Sequence, residues 1–376
     1  MHYFHRVKLF RIRKYKALGD IVQNLANNIL LHTQSTFSKY HVPILVLLPT
    51  LIPTINMSYA PRPPRGSPYM AGAFGIPVPP KGDLNMEDYR ANSLNQPPRF
   101  RDALKTGKVI IGTGIGIASV PCAKVTASLG YEWCFIDAEH TPMGPEMLVE
   151  LVKTINYYSE GCMAPVVRLP THGHEWIAWA LDAGAAGIIL PHTETAEQAR
   201  KVVNAARFAP YGDRSFPPFA QTYGYTDATP EGMSLLDMWS NNAAIIMQIE
   251  SAEGAKNAEE ICAVPGVDAI MIGTGDLRLS MRLPFGFDGV EPEYINAINA
   301  IEGAAKKNNL PLAGFALNTP AIEAKLKKGY QCLMVAADMI ALIAGQSQGL
   351  VMARTAVSEF KTTGKKVAAR KMSGST

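Results

Sequence analysis

From Val109 onward, short apolar runs alternate with longer amphipathic stretches, the pattern of parallel strands joined by crossover helices. The runs are Val109-Ile-Ile-Gly-Thr113, Trp133-Cys-Phe-Ile-Asp137, Ala164-Pro-Val-Val-Arg168, Gly187-Ile-Ile-Leu190, Ala244-Ile-Ile-Met-Gln-Ile249, Ala269-Ile-Met-Ile-Gly273, Leu312-Ala-Gly-Phe315 and Cys332-Leu-Met-Val335. A closing helix is expected from about Met339 to Phe360. Eight β/α units within roughly 250 residues predict an α/β protein of the (β/α)8 TIM-barrel class. A doubly wound open sheet is the alternative. Its phosphate-loop signature is only superficially present in Gly112-Thr-Gly-Ile-Gly116, whose G-x-G-x-G spacing departs from G-x-G-x-x-G.

Of the 376 residues, the barrel occupies 99–360, preceded by an extension and Pro/Gly-rich linker over 1–98, expected to be mostly disordered, and followed by a flexible basic tail over 361–376. Val42 to Ile55 is the longest apolar run of the extension. It is shorter than the roughly 20 residues of a spanning helix and is broken by Pro43, Pro49 and Pro53, so no membrane partner is expected. Met57 opens an ordinary Pro/Gly-rich start, and residues 1–56 are read as an over-extended gene model in a cytoplasmic protein. The alternative is a genuine transit segment and a mitochondrial location. Much of the formal charge of +4 sits in this extension, where Arg6, Lys8, Arg11, Arg13, Lys14, Lys16 and Lys39 face only Asp20. The remainder has no basic face, which excludes nucleic acid as a partner. Five scattered cysteines without a C-x-x-C pair indicate neither a disulfide framework nor a zinc site, and Cys134 and Cys332 read as small buried hydrophobes.

Barrel enzymes carry their chemistry at the C-terminal ends of the strands. Asp137-Ala-Glu-His140, Arg168, Gln248-Ile-Glu250 and Gly273-Thr-Gly-Asp276 fall there. Glu250 and Asp276 follow consecutive strands, and two such carboxylates suit a hard divalent cation, magnesium or manganese, with water and substrate oxygens completing the shell. The plain alternatives are a helix N-terminal carboxylate for Glu250 and a turn residue for Asp276. His140 closes an Asp-x-x-His tetrad in which a carboxylate could orient the imidazole for proton abstraction; a surface histidine is the alternative. Arg168 offers bidentate donors for an oxyanion, or a salt bridge to Glu139 or another rim acid. Asp182 lies near the end of the third helix, where spacing alone does not single it out. The helix-free stretch Phe208 to Thr226 is a candidate lid or subunit-contact loop.

Several stretches together resemble the HpcH/HpaI family of class II pyruvate aldolases, which includes 4-hydroxy-2-oxoheptanedioate and 2-dehydro-3-deoxyglucarate aldolases. They are Gly130-Tyr-Glu-Trp-Cys-Phe-Ile-Asp-Ala-Glu-His140, Pro165-Val-Val-Arg-Leu-Pro170, Leu181-Asp-Ala-Gly184, Phe208-Ala-Pro-Tyr-Gly-Asp-Arg214, Met247-Gln-Ile-Glu250 and Gly266-Val-Asp-Ala-Ile-Met-Ile-Gly-Thr-Gly-Asp-Leu277. The resemblance runs from about Phe100 to Ala356 and implies one divalent metal ion, magnesium or manganese with cobalt and zinc open, held by Glu250 and Asp276. It implies His140 as general acid/base supported by Asp137 and Asp182, and Arg168 as enolate stabiliser. Gln248 and the backbone at Gly275 and Asp276 would contact the pyruvyl portion of the substrate. The implied reaction cleaves C3–C4 of a 4-hydroxy-2-oxo acid to a metal-bound pyruvate enolate and an aldehyde. None of the rim positions is a lysine, in keeping with a route that needs no Schiff base. Two positions depart from the family's glycines, Ser215 and Arg282. The resemblance also implies a homo-oligomer, dimers joined into a hexamer through an exchanged terminal helix, with Met339 to Val357 packed on a neighbour. A citrate-lyase-β-like CoA-ester lyase and a non-catalytic barrel scaffold are the competing readings.

Overall fold

The computed structural model describes residues 82–217 and 232–372, with side chains to residue 363, together with Pro80 and Thr229. Eight parallel strands close into a barrel in sequential order, β1 pairing with both β2 and β8. They are β1 (Ile110–Ile115), β2 (Trp133–Asp137), β3 (Ala164–Arg168), β4 (Gly187–Leu190), β5 (Ala244–Ile249), β6 (Ala269–Ile272), β7 (Leu312–Phe315) and β8 (Cys332–Ala337). The expected (β/α)8 fold is thus observed, with five of the strands ending where the apolar runs end.

The helices in chain order are α1 (Phe100–Leu104), α2 (Val120–Ala127), α3 (Pro145–Tyr158), α4 (His174–Asp182), α5 (Ala196–Ala206), α6 (Leu235–Asn242), α7 (Ala252–Lys256), α8 (Ala258–Cys262), α9 (Thr274–Ser280), α10 (Pro292–Lys307), α11 (Thr319–Lys327) and α12 (Asp338–Met372). The sequence explains their seating. In α3, Leu148, Leu151, Val152 and Ile155 recur at helical spacing and are fully buried, so one stripe faces the strands. Each such side chain contributes roughly 1.5–3 kcal/mol by leaving water. The start of α5 is a capping box, Thr195 accepting from the Gln198 amide while the Gln198 side chain returns to the Thr195 backbone.

Strand alternation divides the core in two. Trp133, Phe135, Ala164, Val166, Ala244, Ile246, Ala269 and Met271 point into the barrel, whereas Cys134, Ile136, Val167, Ile188, Ile245, Met247 and Ile270 meet the helices. Cys134 and Cys332 are indeed wholly buried hydrophobes. Trp133 lies against Gly112, where a Cβ would come within 2.2 Å of the indole nitrogen, so only glycine admits the ring. The same period of two makes Asp137, Arg168 and Gln248 the next inward residues toward the C-terminal mouth.

Two boundaries differ from those expected. Residues 82–98, read as linker, are packed in place: Leu84 and Met86 join Phe100 and Leu104 beneath the barrel interior, and Asn242 Nδ2 donates to the Pro97 carbonyl at 2.9 Å. An open barrel base needs apolar cover, and this segment supplies it despite its turn-rich composition. Helix α12 continues past Phe360 to Met372, through the expected tail. The extension up to residue 79 lies outside the described residues, as does the stretch 218–228. Among the described residues no helix is long and apolar enough to cross a membrane.

Candidate active site

Asp137 and Arg168 are register partners on β2 and β3, and their inward orientation brings the two side chains together. Arg168 donates through Nε to Asp137 Oδ1 at 3.0 Å and through Nη2 to Oδ2 at 2.7 Å, while Nη1 lies 3.2 Å from Glu139 Oε2. Its guanidinium carbon sits 5.1 Å from the centre of the Phe135 ring, which supports it from inside the barrel. Burial alone would lower the arginine pKa, but the carboxylates of Asp137, Glu139 and Glu250 outweigh it and raise the value. A fixed, permanently charged fork therefore points into the mouth.

Asp137 has a second task. Its Oδ1 accepts the backbone N–H groups of Glu139 at 3.1 Å and His140 at 3.3 Å, folding the chain after β2 into a tight turn that presents the histidine. The contact of Asp137 with His140 is thus to the backbone N–H, not the imidazole orientation that was expected. The imidazole itself is exposed, and its nearest acid is Glu139, with Oε2 3.8 Å from Nε2.

Glu250 is 1% exposed. Its Oε1 accepts from the His192 backbone N–H at 2.8 Å and its Oε2 from the Gln248 side-chain amide. Burial pushes its pKa up, the neighbouring negative charge of Asp276 works in the same direction, and the Gln248, His192 backbone and His192 ring interactions oppose them. Gly273 permits the arrangement, because a Cβ there would stand 2.2 Å from Glu250 Oε2 and 2.7 Å from Glu250 Cβ. Asp276 is half-buried in the first turn of α9.

The fit of this pocket to a divalent cation rests on its charge and on one unmet acceptor. The carboxylates of Asp137, Glu139, Glu250 and Asp276 outnumber the guanidinium of Arg168, and Gln248 Oε1 is buried with no hydrogen-bond partner. Glu250 and Asp276 would give a cation two carboxylates and leave positions for small oxygen ligands; among the described residues no three His, Cys, Asp or Glu side chains converge as a ligand cluster. These residues fit such an ion.

Asp182 is elsewhere. It ends α4, the helix that returns from the mouth to the opposite end of the barrel, and its Oδ1 accepts from Arg214 Nη2 at 2.6 Å. Burial pushes the Asp182 pKa up and the arginine pulls it down. Within one chain the structure therefore does not bring Asp182 and His140 together. Arg214 stacks on Phe208 and Trp239, at 4.6 and 5.3 Å, and Arg207 bonds the Ala243 carbonyl just before β5. The described part of the candidate lid, 208–217, consequently packs at the end away from its own mouth.

His192 is a site residue that strand-end reasoning passes over. It follows β4 with φ +48°, its Nδ1 is 3.8 Å from Glu250 and its Nε2 is 4.0 Å from Glu139. Pro191-His192 directly follows a strand, the same signal that singled out the other residues. Of the two glycine departures, Arg282 adopts φ +59°, the conformation a glycine favours, whereas Ser215 is not in the left-handed region.

Comparison with known proteins agrees with the barrel fold. A sequence model of the family described as HpcH/HpaI aldolase/citrate lyase matches residues 116–344. A hydroxypyruvate/pyruvate aldolase of Deinococcus radiodurans is 34% identical over 182 residues, 48% of this chain and 64% of that protein. The 2-keto-3-deoxy-L-rhamnonate aldolase of Escherichia coli is 30% identical over 253 residues, 67% of this chain and 88% of the enzyme. The crystal structure of macrophomate synthase superposes with a TM-score of 0.69 at 30% identity, covering 74% of this chain and 96% of that one.

Proposed function

The chain belongs to the HpcH/HpaI aldolase/citrate lyase family, a family of carbon–carbon lyases, and on that premise we propose that it cleaves 4-hydroxy-2-oxo acids, such as 4-hydroxy-2-oxoheptanedioate, to pyruvate and an aldehyde. The observation that carries this reading is the buried Glu250 carboxylate beside Asp276 at the mouth, facing the locked Arg168 fork. Glu250 and Asp276 would hold one divalent ion, magnesium or manganese. Such an ion, when bound, supplies Lewis-acid polarisation of the 2-oxo and carboxylate oxygens.

The residues of the chain would do the rest. Gln248 and the backbone at Gly275 and Asp276 receive the pyruvyl half. His140, exposed and held by the Asp137 turn, takes the proton of the 4-hydroxyl group. The O–H electron pair forms the aldehyde carbonyl, the C3–C4 bond breaks, and its electrons pass into the C2–C3 enolate. Arg168 stabilises the developing oxyanion without reorienting, because Asp137 and Glu139 already fix it. Protonation at C3 then releases pyruvate. The exposed apolar side chains of α12 support a homo-oligomer built through that helix, in keeping with dimers joined into a hexamer.

Exchange of the pyruvate methyl protons with deuterium, followed by NMR with manganese-supplemented protein, tests the reading. Exchange well above the protein-free rate is expected, and its abolition in Arg168→Ala. A folded wild-type protein that exchanges no protons contradicts it.

A further inference from the structure

Between β6 and α10 the chain makes an excursion at the mouth, consisting of α9 and the loop 281–291. Arg278 staples this loop. Its Nη1 and Nη2 each lie 2.7 Å from a carboxylate oxygen of Glu291, and its Nε donates to the Pro284 carbonyl at 3.0 Å. Tyr294 adds a hydrogen bond from its hydroxyl to the Phe287 carbonyl at 3.3 Å. A loop held at both ends in this way is not free to fold its apolar side chains inward.

It presents two large rings instead. Phe285 is 67% exposed and Phe287 54% exposed, packed edge to face with centroids 5.4 Å apart. Both lie against Gly275: a Cβ there would sit 3.4 Å from Phe285 Cε2 and 3.7 Å from Phe287 Cε1. Gly275 directly precedes Asp276, which sets these rings beside the Glu250–Asp276 pocket. Exposed adjacent aromatics beside a polar pocket are expected to be covered by a ligand whose far end is apolar.

We propose that Phe285 and Phe287 form the wall that receives the aldehyde half of the substrate, and that this chain selects aryl or branched-alkyl aldehydes over carboxylate-bearing ones. The inference rests on the aldolase reading, which places the pyruvyl half at Gln248 and Gly275. The charges around the wall point the same way. Asp288 is exposed in the same loop and repels a terminal carboxylate, and Arg278 is committed to Glu291. In the synthetic direction the pyruvate methyl gives up a proton, the resulting C3 carbanion bonds to the aldehyde carbon, and the carbonyl oxygen takes a proton to become the 4-hydroxyl.

The test uses the full chain with manganese and two readouts: pyruvate methyl exchange without aldehyde, and pyruvate consumption with benzaldehyde, isobutyraldehyde, succinate semialdehyde or glyoxylate. The wild type is expected to give a kcat/KM for the two apolar acceptors at least about tenfold above the other two. Phe285→Ala and Phe287→Ala are expected to lose roughly tenfold or more on the apolar acceptors beyond any change in exchange, with Phe285→Leu retaining most of the preference. Exchange with a preference for carboxylated aldehydes overturns the inference and leaves the aldolase reading standing. So does an equal loss on all four acceptors, or a changed native mass with an unchanged acceptor profile, which would make the rings a structural or subunit contact. Absence of exchange in the wild type overturns the aldolase reading and the inference with it.

Discussion

Glu250 and His140 occupy opposite extremes of exposure at the same mouth, one buried and one open to solvent. Glu250→Gln preserves volume but removes the charge, and isothermal titration is expected to show manganese binding weakened by at least about a hundredfold. His140→Ala is expected to lower kcat for cleavage by roughly a hundred- to ten-thousandfold with little change in KM, as for loss of a general base. Asp182→Asn removes the charge that pairs with the buried Arg214 and is expected to cost about 3 kcal/mol in urea denaturation. Glu132, beneath the barrel, offers a pH test. Burial raises its pKa, with the Ile111 backbone N–H and its own backbone opposing and Asp83 reinforcing the rise. Because the folded value is above the unfolded one, its contribution to stability is complete below the ordinary carboxylate range near about 4.3 and is lost as pH rises through the folded value. The melting temperature of the wild type should therefore fall relative to Glu132→Gln as pH increases from that range, and a constant difference would contradict the assignment. At this scale the strand-end residues were legible because alternation and the barrel rule both point inward at Asp137, Arg168 and Gln248. The conformation of His192 was not, since nothing local in Pro191-His192-Thr193 demands a left-handed backbone.

Turns carry the next level of organisation. Gly273 lets the β6 end pass against Glu250, and Gly273→Ala must push that carboxylate aside, with an expected loss of about 1–3 kcal/mol in stability and of most manganese affinity. Arg282 keeps the backbone turn without the residue that suits it, so Arg282→Gly is expected to stabilise the fold by about 0.5–1 kcal/mol in denaturant titration. The position of Asp182 followed from topology alone, because a helix leaving β3 must run back to the base before β4 begins. Motif resemblance assigns the residue a role but carries no information about which chain supplies it. The packing of 82–98 was hidden for a different reason. Leu84 and Met86 are two apolar residues in a turn-rich stretch, and only the open base of a barrel makes them core.

At the scale of the whole molecule, the barrel was readable from eight periodic units and the closing helix as far as Phe360, whereas its continuation to Met372 was not. Helix α12 runs 35 residues, about 50 Å, with Ile340, Ile343, Leu350, Val351 and Met352 exposed. An amphipathic period marks a helix but not the surface that covers it. Native mass measurement is expected to give a multiple of the chain mass, and paired Ile343→Asp and Leu350→Asp substitutions to lower it. The catalytic account meets its most direct test in pyruvate release from a panel of 4-hydroxy-2-oxo acids, racemic 4-hydroxy-2-oxoheptanedioate, shorter members and members whose aldehyde half is aryl or branched alkyl, coupled to lactate dehydrogenase, before chelation, after chelation and after manganese is restored. Release that is lost on chelation and regained with manganese is expected. A folded, manganese-bound protein that releases pyruvate from none of them would contradict the account.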